Sequence, residues 1–211
     1  APIQNIGAYG VELQDVFESC TLVNRKDLSV KTYNKDACQF GYRDSIFKKE
    51  LKHKVVITDV SLRLKKENFR LNTSYGAITQ LLSSKGISTP SPKEIADVVV
   101  DIRTKKLPDP KQLGNAGSFF KNPIVDYDQL EQLKSSFPDI PHYALTNQKF
   151  KIPAAWLIEQ VGLKGTRNGD VGIHKHHALV LVNFGNASGH DIKAFSQVVL
   201  QAVKERFDIL L

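Results

Sequence analysis

The chain has 211 residues, of which 41% are hydrophobic and 24% are charged, and its formal net charge is +7. This composition is typical of one large or two modest globular cores, because domains commonly run to about 100–150 residues. The longest apolar stretches fall far short of the roughly 20 residues of a membrane-spanning helix, so we expect no membrane partner. The lysines are spread along the chain and no nucleic-acid-binding module is recognisable, so the positive charge favours an anionic small substrate.

The start of the chain and its two cysteines indicate the cellular context. The chain begins at Ala1 and contains no methionine, which indicates processing or a piece of a longer protein. No basic segment is followed by an apolar one, so no secretory signal is expected. Cys20 and Cys38 have neither CxxC spacing nor flanking histidines, which favours two buried, reduced thiols in a cytoplasmic protein over a disulfide.

The first part of the chain is predicted to form a loop and three strands. Residues 1–10 are rich in Gly, Asn and Pro, which favours a loop with several turns. Residues 16–23 and 28–32 are predicted to form a hairpin with a turn at residues 24–27. Residues 55–64 alternate apolar and polar with the period of a half-buried strand. The apolar members of that strand are Val55, Ile57, Val60, Leu62 and Leu64.

Two helices are predicted next. The first covers residues 75–83, and the second begins at Ser91, where a capping serine, Pro92 and Glu94 are typical of a helix N-terminus. This second helix should run to about Lys105. Its apolar residues at helical spacing, which we expect in a core, are Ile95, Val98, Val99, Ile102 and Leu107.

Two prolines end that helix and predict a domain boundary. Pro108 and Pro110 cannot donate backbone hydrogen bonds and restrict the residues before them, so we expect the boundary between residues 107 and 108. Beyond it, the small residues at 114–118 predict a tight loop, and residues 126–137 predict a helix.

The rest of the chain is predicted to alternate loops, helices and strands. Residues 138–151 are predicted as a long irregular loop, and residues 153–161 as a helix. Residues 178–182 are continuously apolar, as in a strand that is buried on both faces. Residues 188–207 predict a closing amphipathic helix, and residues 208–211 the beginning of a further strand.

Taken without any resemblance, the chemical signals are modest. Arg43 lies in a short polar turn, where its guanidinium could bind a carboxylate or phosphate through two hydrogen bonds, although a surface arginine is the commoner case. Residues 114–118 could present backbone N–H groups to an anion, but the Gly-Lys-Ser/Thr of a Walker loop is missing. Ser118 has no adjacent base, which argues against a hydrolase nucleophile.

The histidines at residues 174–177 raise the question of a metal site. In a strand, His174 and His176 would share one face without a nearby Cys, Asp or Glu to complete a tetrahedral ligand set. A contact to a sugar or phosphate, or a plain strand edge, is therefore the preferred interpretation, and no metal is expected.

Three motifs follow one another along the chain: PIQNIGAYG at residues 2–10, GYRDSIFK at residues 41–48 and GNAGSFFKNP at residues 114–123. In this order they resemble the flavin-contacting loop, the arginine motif and the serine motif of UDP-N-acetylenolpyruvoylglucosamine reductases. Residues 154–159 and 178–183 also fit that family. The resemblance therefore covers essentially the whole chain.

The resemblance implies an oxidoreductase of peptidoglycan synthesis, a UDP-N-acetylmuramate dehydrogenase. In such enzymes NADPH reduces bound FAD, which passes hydride to the enolpyruvyl double bond of UDP-N-acetylglucosamine enolpyruvate. By motif position, Arg43 would stabilise the substrate carboxylate as charge develops, and Ser118 would donate a proton. The cofactor-binding residues implied by the flavin-contacting loop are Gln4, Asn5, Ile6, Gly7, Ala8, Tyr9 and Gly10.

Four further residues are implied as substrate contacts. Tyr75 resembles the family's substrate-contacting tyrosine, Lys106 a lysine near the nucleotide-sugar phosphates, and Asn122 follows the serine motif as expected. Tyr143 lies in a segment that resembles the tyrosine-bearing loop of one branch of the family, which closes over substrate. For each of these four residues, a packing or surface role is the alternative.

The resemblance also implies an α+β fold and an incomplete enzyme. Residues 1–107 would be the C-terminal part of an FAD-binding α+β domain, and residues 108–211 an α/β-layered substrate-binding domain. The N-terminal third and the extreme C-terminus of the family are missing from the match, so we expect a monomeric fragment with weak or no activity by itself. The alternative is a non-catalytic module that binds a UDP-sugar, which would lack the yellow colour of a flavoprotein.

Overall fold

The computed structural model describes residues 1–67 and 71–211 and divides the chain into two compact units. The first unit is Ala1–Ile102 and the second is Arg103–Leu211. This division lies inside a helix, between Ile102 and Arg103, whereas the prolines predict a boundary between residues 107 and 108. Helices and antiparallel sheets are both present in the chain, which confirms the α+β class.

Two antiparallel sheets organise the first unit. A short hairpin of β1 (Gly7–Ala8) and β2 (Val11–Glu12) precedes a sheet of β3 (Phe17–Asn24), β4 (Val30–Asn34) and β5 (Val55–Leu62) in the order β4-β3-β5. The predicted hairpin is confirmed as β3 and β4. Its turn is closed by the side chains of Asn24 and Asp27, which accept from the backbone N–H groups of Lys26 and Ser29.

The prediction of a half-buried strand is correct only for the start of β5. Val55 and Ile57 pack against the buried cluster of this unit, whereas Val60 and Leu62 are 38% and 47% exposed. The pairing of β3 with β5 shifts register twice, and a shift of one residue turns a side chain to the opposite face. Alternation in the sequence therefore does not translate into alternation of burial along the whole strand.

Cys20 and Cys38 lie in the core of the first unit as free thiols, which confirms the prediction of two buried, reduced cysteines. Their Sγ atoms are 3.9 Å apart, too far for a disulfide bond. Burial, together with the neighbouring Cys20 thiol, raises the pKa of Cys38 to about 12.

The raised pKa of Cys38 predicts a loss of stability at alkaline pH. In the unfolded chain this thiol ionises near its ordinary pKa of 9.0, so its contribution is complete below that pH and is lost as the pH rises towards 12. We expect the free energy of unfolding in urea to fall between about pH 8 and about pH 10.5. Cys38→Ala should show a smaller fall over the same interval, and equal falls in both proteins would contradict the prediction.

Two helices, α1 (Lys35–Cys38) and α2 (Gly76–Ser84), belong to the first unit. A third, α3 (Pro92–Lys106), begins in the first unit and ends in the second. The predicted cap of α3 is confirmed, because Ser91 Oγ accepts from the Glu94 N–H at 3.3 Å while a Glu94 carboxylate oxygen accepts from the Ser91 N–H at 2.7 Å. Ile78 and Leu82 of α2 pack with Val98 and Ile102 of α3.

A four-stranded sheet and a three-stranded sheet form the second unit. The first has the order β10-β11-β12-β6 and the second β7-β9-β8, and both are antiparallel. The strands are β6 (Gly114–Ser118), β7 (Ile124–Asp126), β8 (Tyr143–Ala144), β9 (Lys149–Lys151), β10 (Arg167–Asn168), β11 (Val171–Ile173) and β12 (Val180–Asn183). The helices are α4 (Tyr127–Ser136), α5 (Ala154–Gln160) and α6 (Gly189–Phe207).

Helices α4, α5 and α6 agree with their predicted positions and enclose the core of the second unit. Leu157 of α5 and Val199 and Val203 of α6 are fully buried in this core and contribute to its hydrophobic stabilisation. The Trp156 ring meets the rings of Phe137 and Phe207 with centroids 6.3 and 5.7 Å away.

Three sequence predictions for the second unit are wrong. Residues 114–118 form strand β6 rather than a loop, because they pair with β12 despite their small side chains. Residues 138–151 contain β8 and β9 rather than only irregular structure, since both strands pair next to β7. Residues 208–211 form no strand, and Ile209 instead packs into the core.

Candidate functional site

The loop at residues 4–10 combines exposed side chains with one buried anchor. Gln4, Ile6 and Ala8 are exposed, and Ile6 is 48% exposed although it is apolar. Asn5 is fully buried. Its Nδ2 donates to Gly41 O at 3.0 Å and its Oδ1 accepts from the Gln14 N–H at 2.9 Å. The side chain of Asn5 thus fixes the loop, while its neighbours remain open to a ligand.

Two glycines allow close packing of this loop against its neighbours. A Cβ on Gly7 would lie 2.7 Å from Glu12 Cγ, and Gly10 has a φ of +80°, in the region that other residues rarely adopt. Gly10 O accepts from Asn72 Nδ2 at 3.1 Å. The two glycines therefore let the loop pack directly against Glu12 and Asn72.

Arg43 lies in a turn whose ends are joined by two backbone hydrogen bonds between Gly41 and Asp44, of 3.0 and 3.2 Å. Its φ is +52°, which costs a residue with a Cβ on the order of 1–3 kcal/mol. Lys48 Nζ donates to Arg43 O at 3.0 Å and helps to hold this conformation. Strained residues of this kind cluster at functional sites.

The guanidinium of Arg43 points into the loop at residues 4–10. Nη1 donates to Asn5 O at 3.3 Å and to Glu12 Oε1 at 3.2 Å, and Nη2 donates to Gly7 O. Only a quarter of the Arg43 side chain is exposed. The alternative of a plain surface arginine is therefore wrong, and the arginine turn and the loop form one arrangement within the first unit.

Tyr75 lies beside the same loop. Its ring meets the ring of Tyr9 edge to face, with centroids 5.1 Å apart, and 41% of Tyr75 is exposed. Tyr75 immediately precedes α2 and is thereby held at a helix N-terminus.

In the second unit, Ser118 is the last residue of β6. It pairs with Val180, and the backbone before it bends at Gly117, whose φ is +74°. Ser118 is exposed, and within residues 1–67 and 71–211 its hydroxyl has no hydrogen-bond partner. The hydroxyl is consequently free to meet a ligand.

A cavity of about 310 Å³ adjoins the strand that carries Ser118. Its lining includes Gly114, Asn115 and Phe119 from the serine motif and Asn183 and Ile192 from the opposite side. Asn115 Oδ1 accepts from the Gly117 N–H at 3.0 Å and so stabilises the bend before Ser118.

Asn122 has a structural role at the start of α5. Its Oδ1 accepts from the Ala154 N–H at 2.9 Å, which satisfies one of the free donors at that helix N-terminus. Its Nδ2 has no protein partner among the described residues, so the amide can cap the helix and still donate to a ligand.

Lys106 is exposed at the end of α3, and its charge acts on His177. Burial, followed by the charge of Lys106, lowers the pKa of His177, so this imidazole is held neutral. His177 Nδ1 accepts from the Leu179 N–H at 3.3 Å, which leaves Nε2 as the donor. Sequence reasoning did not single out His177 from its run of histidines.

His174 and His176 do not lie in a strand, the case that was considered for a metal site. His174 follows β11, and residues 175–176 form a turn, because His177 N donates to His174 O at 3.2 Å. Across the described ranges, no three His, Cys, Asp or Glu side chains gather as metal ligands would.

Tyr143 lies in β8 and is 59% exposed, rather than in an irregular loop. Lys151 Nζ lies 5.6 Å from the centre of its ring, a cation–π contact within the small sheet. The four residues Lys106, Ser118, Asn122 and Tyr143 belong to the second unit, whereas Arg43, Tyr75 and the loop at residues 4–10 belong to the first.

A comparison with protein-family models finds a match in the second unit. Residues 109–211 match the model described as UDP-N-acetylenolpyruvoylglucosamine reductase, C-terminal domain. The second unit is thus similar in sequence to the C-terminal domain of these reductases. The match begins next to the domain boundary that the prolines predict.

Relatives with the same name match along the whole chain. A UDP-N-acetylenolpyruvoylglucosamine reductase of Flavobacterium johnsoniae is 50% identical over 208 residues, which cover 99% of this chain and 62% of the relative. The reductase of Pseudomonas aeruginosa is 47% identical over 211 residues, which cover 100% of this chain and 62% of the relative. The resemblance of the three motifs is thereby confirmed, and the chain spans less than two thirds of these reductases.

A solved structure agrees with the fold. The crystal structure of the UDP-N-acetylenolpyruvylglucosamine reductase (MurB) from Thermus caldophilus matches with a TM-score of 0.57 and 25% identity, over 95% of this chain and 55% of that one. None of the helices in the described part of the chain is both long and apolar enough to span a bilayer.

Proposed function

We propose that the protein to which this chain belongs is an FAD-dependent reductase that uses NADPH to convert UDP-N-acetylglucosamine enolpyruvate to UDP-N-acetylmuramate for peptidoglycan. The observation that carries the proposal is the contact of Arg43 with the flavin-contacting loop, through the carbonyl oxygens of Asn5 and Gly7. This contact places a cation beside the loop implied to bind the cofactor. The relatives' shared name supports the same reaction.

The loop at residues 4–10 fits FAD in its chemistry. Its glycines let the loop pack tightly against Glu12 and Asn72, and the side chains of Gln4, Ile6 and Ala8 are exposed, where the cofactor would contact them. Bound FAD supplies hydride chemistry, which no protein side chain provides. The chain's own residues then have to bind the substrate, orient its double bond and manage charge and protons.

Arg43 holds the substrate carboxylate in this proposal. Hydride addition to one carbon of the enolpyruvyl double bond puts negative charge on the carbon beside the carboxylate. A guanidinium that the turn at Gly41–Asp44 already fixes in place stabilises that charge without reorganisation. The partial burial of Arg43 strengthens the attraction, because the local dielectric is lower than in water.

Ser118 completes the reaction by donating its hydroxyl proton to that carbon. The hydroxyl is exposed and unpaired within the described residues, which suits direct contact with substrate. A serine is a weak acid in water, so the transfer depends on the strong basicity of the carbon it protonates. The alkoxide regains a proton from solvent afterwards.

The remaining residues orient the nucleotide sugar. Lys106 and the Nε2–H of neutral His177 offer a cation and a donor to the diphosphate. The exposed ring of Tyr75 and the Nδ2 of Asn122 offer a stacking face and a donor to the sugar and base. Tyr143, which is exposed in β8, closes over the bound substrate as part of the same proposal.

The proposal also includes the cellular compartment, the oligomeric state and the activity of the chain by itself. Two buried, reduced thiols support a cytoplasmic protein, since disulfides are rare in that compartment. We propose that the protein acts as a monomer, and that the 211-residue chain by itself has weak activity or none, because the reductases it matches are longer.

A flavin titration tests the function directly. FAD is added to the purified chain, and absorbance and flavin fluorescence are recorded with and without UDP-N-acetylglucosamine enolpyruvate. Saturable binding whose spectrum changes on addition of the sugar supports the proposal. Sugar binding without flavin binding favours the non-catalytic UDP-sugar-binding module, and binding of neither ligand contradicts a site in this chain.

A further inference from the structure

Glu12 links the arginine turn to the flavin-contacting loop through both of its carboxylate oxygens. Oε1 accepts from Arg43 Nη1 at 3.2 Å. Oε2 accepts from Asn5 Nδ2 at 2.8 Å and from Gln14 Nε2 at 2.8 Å. These donors come from three separate segments of the first unit, so one side chain fixes their relative positions.

The carboxylate itself is held by the surrounding backbone. Glu12 lies directly opposite Gly7 in the β1–β2 pairing, and its Cγ occupies the space that a Cβ on Gly7 would need. The Glu12 N–H donates to Asp15 Oδ2 at 2.7 Å, as one half of a capping box. Only 28% of the Glu12 side chain is exposed. Glu12 is therefore a fixed acceptor and not a mobile surface carboxylate.

The hydrogen bonds of Arg43 leave part of its guanidinium open. An arginine has five N–H donors, and here Nη1 uses two and Nη2 uses one, on Asn5 O, Glu12 and Gly7 O. Nε–H has no partner among the residues that the structure describes. Nε and Nη2 together form an edge of the planar fork, which is suited to binding a carboxylate through two parallel hydrogen bonds.

We propose that Glu12 is a positioning residue that binds Nη1 of Arg43 and Nδ2 of Asn5, so that the Nε–Nη2 edge of Arg43 is presented to the carboxylate of the substrate. This inference rests on the proposed function and adds a residue to it. Glu12 itself touches neither the substrate nor the reacting carbons. It acts through Arg43, because it fixes the orientation of the guanidinium relative to the flavin-contacting loop.

Glu12→Gln is the decisive substitution because it keeps the size of the side chain. Its amide group turns one of the two acceptors into a donor, which then faces a donor of Arg43, Asn5 or Gln14. The intact flavin-loaded protein is assayed by stopped flow, with flavin reduction by NADPH and flavin reoxidation by the enolpyruvyl sugar followed separately at saturating FAD.

We expect reoxidation by the sugar to slow on the order of 10- to 100-fold, the effect of small misplacements of a catalytic group, while reduction by NADPH stays unchanged. A residue with a purely structural role would affect both half-reactions through loss of flavin. Glu18→Gln is the matched control, because Glu18 also pairs with an arginine of this unit, Arg63, but at an exposed position. It should leave both rates unchanged.

A double-mutant cycle tests whether the effect of Glu12 depends on Arg43. In an Arg43→Ala background, Glu12→Gln should change the reoxidation rate by less than about twofold, since the interaction is already absent. If Glu12→Gln alone matches the wild type, or slows reoxidation by the same factor in both backgrounds, the inference is overturned. Should the glutamine variant not fold, Glu12→Asp, which keeps the charge but shortens the reach, is measured with the same criteria.

The same assay separates this inference from the function on which it rests. If the wild-type protein fails to reoxidise its flavin with the enolpyruvyl sugar, the proposed function fails, and the role of Glu12 fails with it. If the wild type turns over and the Glu12 variants do so equally well, only the role of Glu12 is overturned.

Discussion

Arg43→Ala should lower kcat by about 100- to 1,000-fold, the usual effect of removing one preorganised donor from developing negative charge. The physical reason is that the carbon beside the substrate carboxylate loses its cation when it becomes negative. The change also leaves Asn5 O and Gly7 O without their donor, so FAD affinity should fall as well. The measurement is steady-state NADPH oxidation by the intact protein at saturating FAD.

Arg43→Lys should lower kcat nearly as much. A lysine ammonium lacks the planar fork of arginine and cannot bind two loop carbonyls and a carboxylate at the same time. Arg63→Ala is the control, since Arg63 also pairs with a glutamate in the first unit but is 77% exposed. Normal turnover of Arg43→Ala, or an equal loss in Arg63→Ala, would show that Arg43 is not the catalytic cation.

Ser118→Ala should lower kcat by about 100- to 10,000-fold, the range for a positioned proton donor, with little change in the KM for the sugar. The reason is that the carbon beside the carboxylate then has to take its proton from water. Flavin reduction by NADPH should be unaffected, because the serine acts after the hydride has left. Stopped-flow measurement of the two half-reactions distinguishes these steps.

The fold should tolerate Ser118→Ala, since the hydroxyl is exposed and has no hydrogen-bond partner among the described residues. Ser136→Ala, at an exposed position of α4, controls for the loss of a hydroxyl in the same unit. A kcat of Ser118→Ala within about threefold of the wild type, well below the contribution of a general acid, would assign the proton transfer to another group.

Local signals in the sequence predicted the helices well because their ends are set by neighbouring residues. Ser91 and Glu94 cap α3, and Ser188 caps α6 through the Asp191 N–H at 3.2 Å. Such contacts span three residues and are visible in the sequence. Strand β6 was missed for the opposite reason, because glycine and small polar residues have low strand propensity and only the pairing with β12 makes them extended.

The residues of the candidate site likewise separate into those that the sequence indicated and those that it did not. The three motifs pointed to Arg43 and Ser118 through resemblance, and the chemistry of an arginine in a polar turn was readable by itself. The partners of Arg43 were not readable, because Asn5 and Glu12 lie 38 and 31 residues away along the chain. Nor did the sequence show that the Asn5 side chain would be used internally, since burial depends on the assembled hairpin and turn.

Trp156 is the only tryptophan of the sequence, and its ring packs against Phe137 and Phe207, which also contact each other, in the core of the second unit. The chain thus carries a tryptophan in one of its two units and none in the other. Emission from Trp156 reports the melting of α4, α5 and α6, whereas circular dichroism reports both units together. Coincident transitions by the two methods would mean cooperative unfolding, and separate transitions would assign an independent stability to each unit.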